Sequence, residues 1–187
     1  MLGQVTGMTA YRRLYIPGAT YFFTASLQDP KSQALTERID HLRAAFGATF
    51  NERPFWCDAM VVLPNHLHAV WTLPPGDSDF STRWRLLKSR FSRSTGAICE
   101  RSDSKRRKAE RGLWQRRFWE HCIRDEADYW RHLHYCWKNP VLHGLVEKVE
   151  DWPFSSFHRD RRLGIFRQVD SETAANEHAD RWNFGER

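Results

Sequence analysis

Two apolar runs meet at a Pro-Asn break in the stretch Val61-Val62-Leu63-Pro64-Asn65-His66-Leu67-His68-Ala69-Val70-Trp71. A break this short leaves room only for a tight connection. Residues 55–63 and 66–73 are therefore expected to pair as an antiparallel hairpin. Side chains alternate across a strand, so His66 and His68 share one face with Val70 and Thr72, while Leu67, Ala69 and Trp71 take the other. Each residue rises by only about 3.3 Å, so two imidazoles two positions apart can converge on one metal ion. The same alternation also describes two surface histidines on a half-exposed strand. The stretch alone leaves both readings open.

The flanking sequence supplies further elements. The aromatic run from Tyr21 to Leu27 reads as a first strand ended by Asp29-Pro30. Leu42, Ala45, Phe46 and Thr49 recur at helical spacing, which predicts a helix over 36–51 with Thr36 as its cap. After the turn at Pro74-Pro75-Gly76-Asp77, Ser78 or Asp79 can cap a helix over 80–95. There Phe80, Trp84, Leu87 and Phe91 form one face, and Arg83, Arg85, Lys88, Arg90 and Arg93 take the remaining surface. A strand is expected over 118–123, and an aromatic turn and strand over 152–157.

Residues 125–138 predict one more helix. Tyr129, Leu133 and Cys136 make its core stripe, and Asp128, His132, Tyr135 and Asn139 a polar stripe beside it. Pro140 is expected to end or kink the helix at Asn139. Tyr135 and Asn139, one turn apart, can reach a single spot. Equally, Asn139 could cap a short helix starting at Pro140, with Tyr135 an ordinary boundary residue.

At 187 residues the chain is expected to form one domain over 10–165, with extensions at 1–9 and 166–187 and a basic insertion at 100–112 centred on Lys105-Arg106-Arg107-Lys108. Lys and Arg number 29 against 23 Asp and Glu, a formal charge of +6, alongside nine Trp and twelve Phe. Cations interleaved with aromatics suit a surface that neutralises phosphates and stacks bases. Arg12, Arg13, Arg83, Arg85, Lys88, Arg116 and Arg117 are the candidates for phosphate contacts. Cys57, Cys99, Cys122 and Cys136 form no C-x-x-C pair, which disfavours a zinc ribbon. With no leader pattern and no long apolar run, a cytoplasmic, nucleoid-associated protein with no membrane partner is expected.

A histidine pair on a strand, a tyrosine and an asparagine on a helix, and a basic aromatic surface point to one chemistry. A tyrosine hydroxyl attacks a phosphodiester while a divalent ion stabilises the developing charge. Neutral imidazoles and an amide oxygen suit Mg²⁺ or Mn²⁺ and leave positions open for phosphate. A phenol with a pKa of about 10 needs help near neutrality. The metal, an arginine, or His132 as base with Asp128 behind it could give that help.

These residues also carry a resemblance. His66-Leu67-His68, led in by Pro64-Asn65, resembles the HUH motif of single-strand DNA transposases. The run Tyr135-Cys136-Trp137-Lys138-Asn139-Pro140-Val141-Leu142-His143-Gly144 resembles the tyrosine-helix motif of the REP-associated tyrosine transposases. Arg12-Arg13-Leu14-Tyr15, Trp71-Thr72-Leu73-Pro74, Arg117-Phe118-Trp119-Glu120-His121 and Asp151-Trp152-Pro153-Phe154-Ser155 extend the likeness over roughly residues 10 to 160. The resemblance implies an α+β fold, a central antiparallel sheet of ferredoxin-like, HUH-nuclease type flanked by helices. It implies Tyr135 as nucleophile, His66 and His68 as metal ligands, and Asn139 as the third, where many relatives carry Gln. The implied partner is a single-stranded DNA hairpin of the repetitive extragenic palindrome type with a flanking tetranucleotide. It would be cut to a 5′-phosphotyrosine and rejoined by the released 3′-hydroxyl, by a monomer or homodimer. The competing expectations are a non-catalytic hairpin-binding protein and a metal-dependent phosphohydrolase in which water attacks.

Overall fold

The structure is a computed structural model and describes residues 13–96 and 111–165. Arg12, Cys99, the 105–108 basic run and both terminal extensions lie outside the described residues. Four strands, β1 (Thr20–Ser26), β2 (Trp56–Val62), β3 (His66–Thr72) and β4 (Trp119–Cys122), form one sheet in the order β2-β3-β1-β4. Every neighbouring pair is antiparallel. Helices α1 (Ala34–Glu37) and α2 (Ile39–Glu52) link β1 to β2, and α3 (Phe80–Ser94) follows β3. Helix α4 (Glu126–Leu142) follows β4, and α5 (Phe157–Arg162) closes the described chain. This β-α-β-β-α-β order with β1 and β3 central is the ferredoxin-like arrangement.

The sequence explains the layering. The central strands β1 and β3 are buried on both faces, which is why they read as nearly unbroken apolar runs. One face carries Tyr21, Phe23, Ala25, Leu67, Ala69 and Trp71 into the core beneath α2 and α3, where Trp71 stacks on Trp84 at 4.4 Å. The other face carries Phe22, Val61 and Val70 against Leu133, Cys136 and Trp137 of α4. Asp79 caps α3 by accepting from the Thr82 amide at 2.9 Å.

Four local expectations change. The predicted helix over 36–51 is two segments broken at Arg38, and Thr36 lies inside the first with its hydroxyl on the Gln33 carbonyl instead of capping. The 152–157 stretch makes a single bridge, Ser155 to Val61, before Phe157 opens α5. That contact covers the outer edge of β2, because the Val62 amide donates to the Phe154 carbonyl and the Ser156 amide to the Met60 carbonyl. Helix α4 does not end at Asn139. It runs through Pro140 to Leu142, with His143 as its C-cap and Gly144, at φ 65°, closing it. Pro140 gives up its own amide bond and crowds the carbonyl one turn back, but the turn after it is held by the His143 amide on the Asn139 carbonyl and the Leu145 amide on the Pro140 carbonyl. Finally, the expected phosphate ligand Arg83 is buried at 1 % exposure. No helix among the described residues is long and apolar enough to cross a membrane.

Candidate active site

The face of the sheet covered by α4 assembles the candidate residues. His66 and His68 stand side by side on β3, ring centroids 5.0 Å apart and planes at 80°. Register pairs Thr24 of β1 with His68 and Ser26 with His66. The Asn65 amide oxygen lies 2.7 Å from His66 Nδ1. That oxygen only accepts, so His66 donates from Nδ1 and carries its lone pair on Nε2. Thr24 Oγ1 lies 2.9 Å from His68 Nδ1, which gives His68 the same tautomer when the hydroxyl accepts. Outer partners of this kind are how ligating imidazoles are oriented.

Helix α4 brings the opposing stripe. The Tyr135 ring meets His68 at 5.0 Å, edge to face, and the His143 ring meets His66 at 5.1 Å. Asn139 lies one turn from each and is buried. Two imidazoles and a primary amide are donors a divalent ion accepts, and His66, His68 and Asn139 are the residues here that would hold one. Phe22 sits at the hub, its ring against His68, His132, Tyr135 and Trp119 at 5.5, 4.7, 5.7 and 5.8 Å.

Asp128 and His132 anchor the start of α4. The Asp128 carboxylate accepts from His121 at 2.8 Å, the Arg124 side chain at 3.1 Å and main chain at 3.2 Å, and Arg131 at 3.3 Å. Burial alone would raise its pKa, but these bonds from Arg124 and His121 outweigh burial and hold the carboxyl well below its ordinary range. His132 is 2.7 Å from the Asp128 carbonyl through Nδ1. Burial pushes its pKa down to about 4, so it is neutral near pH 7. His121, Asp128 and His132 lie close enough to share a cation, but two guanidinium groups already neutralise Asp128. The cluster ties β4 to the tyrosine helix.

Tyr129 points elsewhere. It is half-buried, and its hydroxyl bonds to the Asp58 carboxylate; burial and that carboxylate push its pKa above the ordinary value.

The basic candidates divide. Arg83 donates to the main-chain carbonyls of Arg53, Asp79 and Pro54 and to the Asp77 carboxylate at 2.7 Å, so it pins the 53–54 turn to α3 and cannot meet solvent phosphate. Arg13, Arg85, Lys88, Arg116 and Arg117 line one groove of about 850 Å³ between α3 and residues 111–118, joined by Arg93 and Arg111. No carboxylate is among its described lining residues. Arg13 is fixed by Glu120 at 3.0 Å and lies over the Phe118 ring. Lys88 Nζ sits between the Trp114 and Phe118 rings and donates to the Gln115 carbonyl. Burial, then the Arg13 charge, pushes its pKa down to about 8.

The groove lies across the sheet from the histidines. Its wall passes the strand ends, where the Gln115 amide donates to the Ser26 carbonyl and Ser26 pairs with His66.

Sequence reasoning missed Thr24, Phe22, His121, Arg124, Arg131 and His143. Strand register would have exposed Thr24 beside His68. A helix continued past Pro140 would have put His143 on the Tyr135–Asn139 stripe.

A ferredoxin-like sheet bearing a His-x-His pair beneath a helix-borne tyrosine defines the single-tyrosine HUH class. No family model matches the chain. It is 46 % identical over 159 residues to the REP-associated tyrosine transposase of Escherichia coli K12, covering 85 % of this chain and 88 % of that protein. A relative from Haemophilus influenzae is 44 % identical over 160 residues, 85 % of this chain and 91 % of the relative. A solved REP-associated tyrosine transposase bound to a REP hairpin superposes with a TM-score of 0.80 at 42 % identity, covering 96 % of this chain and 98 % of that one. The chain belongs to the REP-associated tyrosine transposases, a family of enzymes.

Proposed function

We propose that this chain cleaves and rejoins single-stranded DNA beside a REP-type hairpin, with Tyr135 as nucleophile. One observation carries the reading: a single rigid helix sets Tyr135 against His68 with Asn139 one turn on. Nucleophile and phosphate-activating group are then positioned by one element and its sheet. Tyr135 Oη attacks the phosphorus. The new O–P bond forms as the P–O3′ bond breaks, its electron pair leaves with the 3′-oxygen, and the proton that Tyr135 gives up is matched by the one the 3′-oxygen takes up to become a hydroxyl. The 5′-phosphate stays on Tyr135, and attack by the 3′-hydroxyl reverses the step. A divalent ion, when bound by His66, His68 and Asn139, supplies charge stabilisation at the phosphate oxygens. Mg²⁺ and Mn²⁺ both suit that donor set.

The carboxylate-free groove gives Arg13, Arg85, Lys88, Arg116 and Arg117 their part as phosphate contacts for the hairpin and its flanking tetranucleotide. Arg116 and Arg117, exposed at the strand ends, lie where a strand leaving the groove turns toward His66. A DNA substrate of this kind places the protein in the cytoplasm with the nucleoid, as monomer or homodimer.

The test is incubation with a single-stranded REP-type hairpin and Mn²⁺, followed by denaturing electrophoresis. A covalent protein–DNA adduct is expected, and peptide mapping is expected to put the phosphate on Tyr135. Cleavage without an adduct would mean that water attacks. Tight binding with no cleavage would mean a binding protein.

A further inference from the structure

We propose that Asn65 is a positioning residue for the cleavage reaction: held by the Pro30 carbonyl, its side-chain amide fixes the His66 proton on Nδ1 and leaves Nε2 to bind the ion. The inference rests on the metal site proposed above. Asn65 lies in the link between β2 and β3, and three main-chain bonds hold that link. The Leu63 amide donates to the His66 carbonyl at 2.9 Å and closes the hairpin. The Leu27 amide, just past β1, donates to the Asn65 carbonyl at 2.7 Å, and the Leu35 amide of α1 donates to the Pro64 carbonyl at 3.1 Å. The Asn65 side chain thus leaves a backbone fixed from three directions.

Its amide then meets two partners of different kinds. Nδ2 donates to the Pro30 carbonyl, and Oδ1 lies 2.7 Å from His66 Nδ1. A carbonyl only accepts, so Pro30 selects the orientation of the amide. Turned over, the amide would set Oδ1 against the Pro30 carbonyl, acceptor against acceptor. Oδ1 is therefore held toward His66, where only an N–H satisfies it. The Thr24 hydroxyl, 2.9 Å from His68 Nδ1, both donates and accepts and so sets no tautomer by itself. The cause of the His66 tautomer thus lies outside the histidine pair, in the loop that precedes α1.

The tautomer matters because a metal ion takes an imidazole through its bare nitrogen. A solvated neutral imidazole carries its proton on either nitrogen, so an unheld His66 would present a protonated Nε2 part of the time. Outer partners that fix tautomer and ring direction are worth about 10–100-fold in metal affinity or activity.

The first test needs no variant of Asn65. Long-range ¹H–¹⁵N spectra of the metal-free full-length protein at about pH 8, above the ordinary histidine range, distinguish a protonated ring nitrogen from a bare one. Loss of signals in His66→Ala identifies those of His66. A proton on His66 Nδ1 is expected, and a proton on Nε2 would overturn the proposal. Asn65→Ala is expected to return His66 to a mixture of tautomers and to weaken calorimetric Mn²⁺ binding about tenfold or more, with metal-free hairpin affinity within about twofold. Asn65→Asp keeps an acceptor beside Nδ1 and loses only the donor to Pro30. It is expected to restore the Nδ1 tautomer and most of the Mn²⁺ affinity. Two results would overturn the proposal: an unmoved tautomer in Asn65→Ala, or Mn²⁺ binding lost equally in both variants, which a merely structural turn residue would give. His66→Ala separates the two levels. If it loses Mn²⁺ binding while Asn65→Ala keeps it, the metal site stands and Asn65 has no positioning part. If His66→Ala binds Mn²⁺ as wild type does, the metal site itself is misplaced and the proposal falls with it.

Discussion

The Tyr135 ring stands edge-on to the His68 imidazole, centroids 5.0 Å apart and planes at 72°. Phe22 braces both, and the whole ring cluster is buried. Tyr135→Phe keeps every one of these ring contacts and removes one oxygen. Its stability is expected to fall by less than about 1 kcal/mol. Hairpin affinity should persist while cleavage and adduct vanish. Tyr129→Phe should retain both activities, since the Tyr129 hydroxyl is spent on Asp58. Parallel adduct assays on the two variants check this, and an adduct in Tyr135→Phe would remove the assignment.

The buried His132 makes folding sensitive to mild acid. Burial lowers its pKa from 6.5 to about 4 in the folded state. A depressed histidine binds its proton more readily once unfolded. Its share of stability is therefore complete above about pH 6.5 and is lost as pH falls toward 4. The shift corresponds to about 2–3 kcal/mol across that window. Asp128, also depressed, adds a second loss below about pH 4. Urea denaturation at pH 7.5 and 4.5 measures the first limb. His132→Gln should flatten it, and an equal slope in wild type and variant would refute the account.

Much of this arrangement was legible in the chain. The alternation around Pro64-Asn65 gave β2, β3 and their hairpin, and placed both histidines on one face, because period-two patterning is local information. The i, i+4 relation of Tyr135 and Asn139 was equally local. What escaped depended on pairing between distant segments. Thr24 becomes the partner of His68 only through the β1–β3 register. Pro140 misled in a different way. Its local preference favours a helix end, and the packing of Trp137 and Cys136 into the core overrides it. That one boundary hid His143. Arg83 shows the limit of reading charge as surface, since four acceptors clustered by the 53–54 turn and the α3 cap draw it inside.

Lys88 should behave as a residue kept at a cost to stability. Its ammonium is largely desolvated between two aromatic rings, with Arg13 adding repulsion. Lys88→Met keeps the stem packed and removes the charge, and is expected to stabilise the fold by about 1–2 kcal/mol. The same variant should weaken hairpin binding and lower the salt slope by about one. With a pKa of about 8, wild-type affinity should decline between pH 7 and 9 as the ammonium deprotonates. That decline should be absent in Lys88→Met. Thermal unfolding and binding isotherms at two salt concentrations test both halves.

Arg83 and Arg85 lie two positions apart on α3 and should separate stability from binding. Arg83 is enclosed, with its guanidinium on three carbonyls and the Asp77 carboxylate. Arg85 is exposed and faces the carboxylate-free groove. Removing the Arg83 side chain leaves those acceptors without their donor in a place water reaches poorly. Arg83→Ala is therefore expected to cost about 3–5 kcal/mol. Asp77, whose carboxyl Arg83 holds below its ordinary pKa, should then titrate closer to the usual range. In the fraction that stays folded, the salt dependence of hairpin binding should match wild type, because no phosphate reaches Arg83. Arg85→Ala should do the reverse, changing stability by less than about 0.5 kcal/mol while lowering the salt slope by about one. Denaturant melts and binding titrations between roughly 50 and 200 mM salt distinguish the two. A reduced salt slope in Arg83→Ala with normal stability would mean that the guanidinium leaves its buried position to meet DNA.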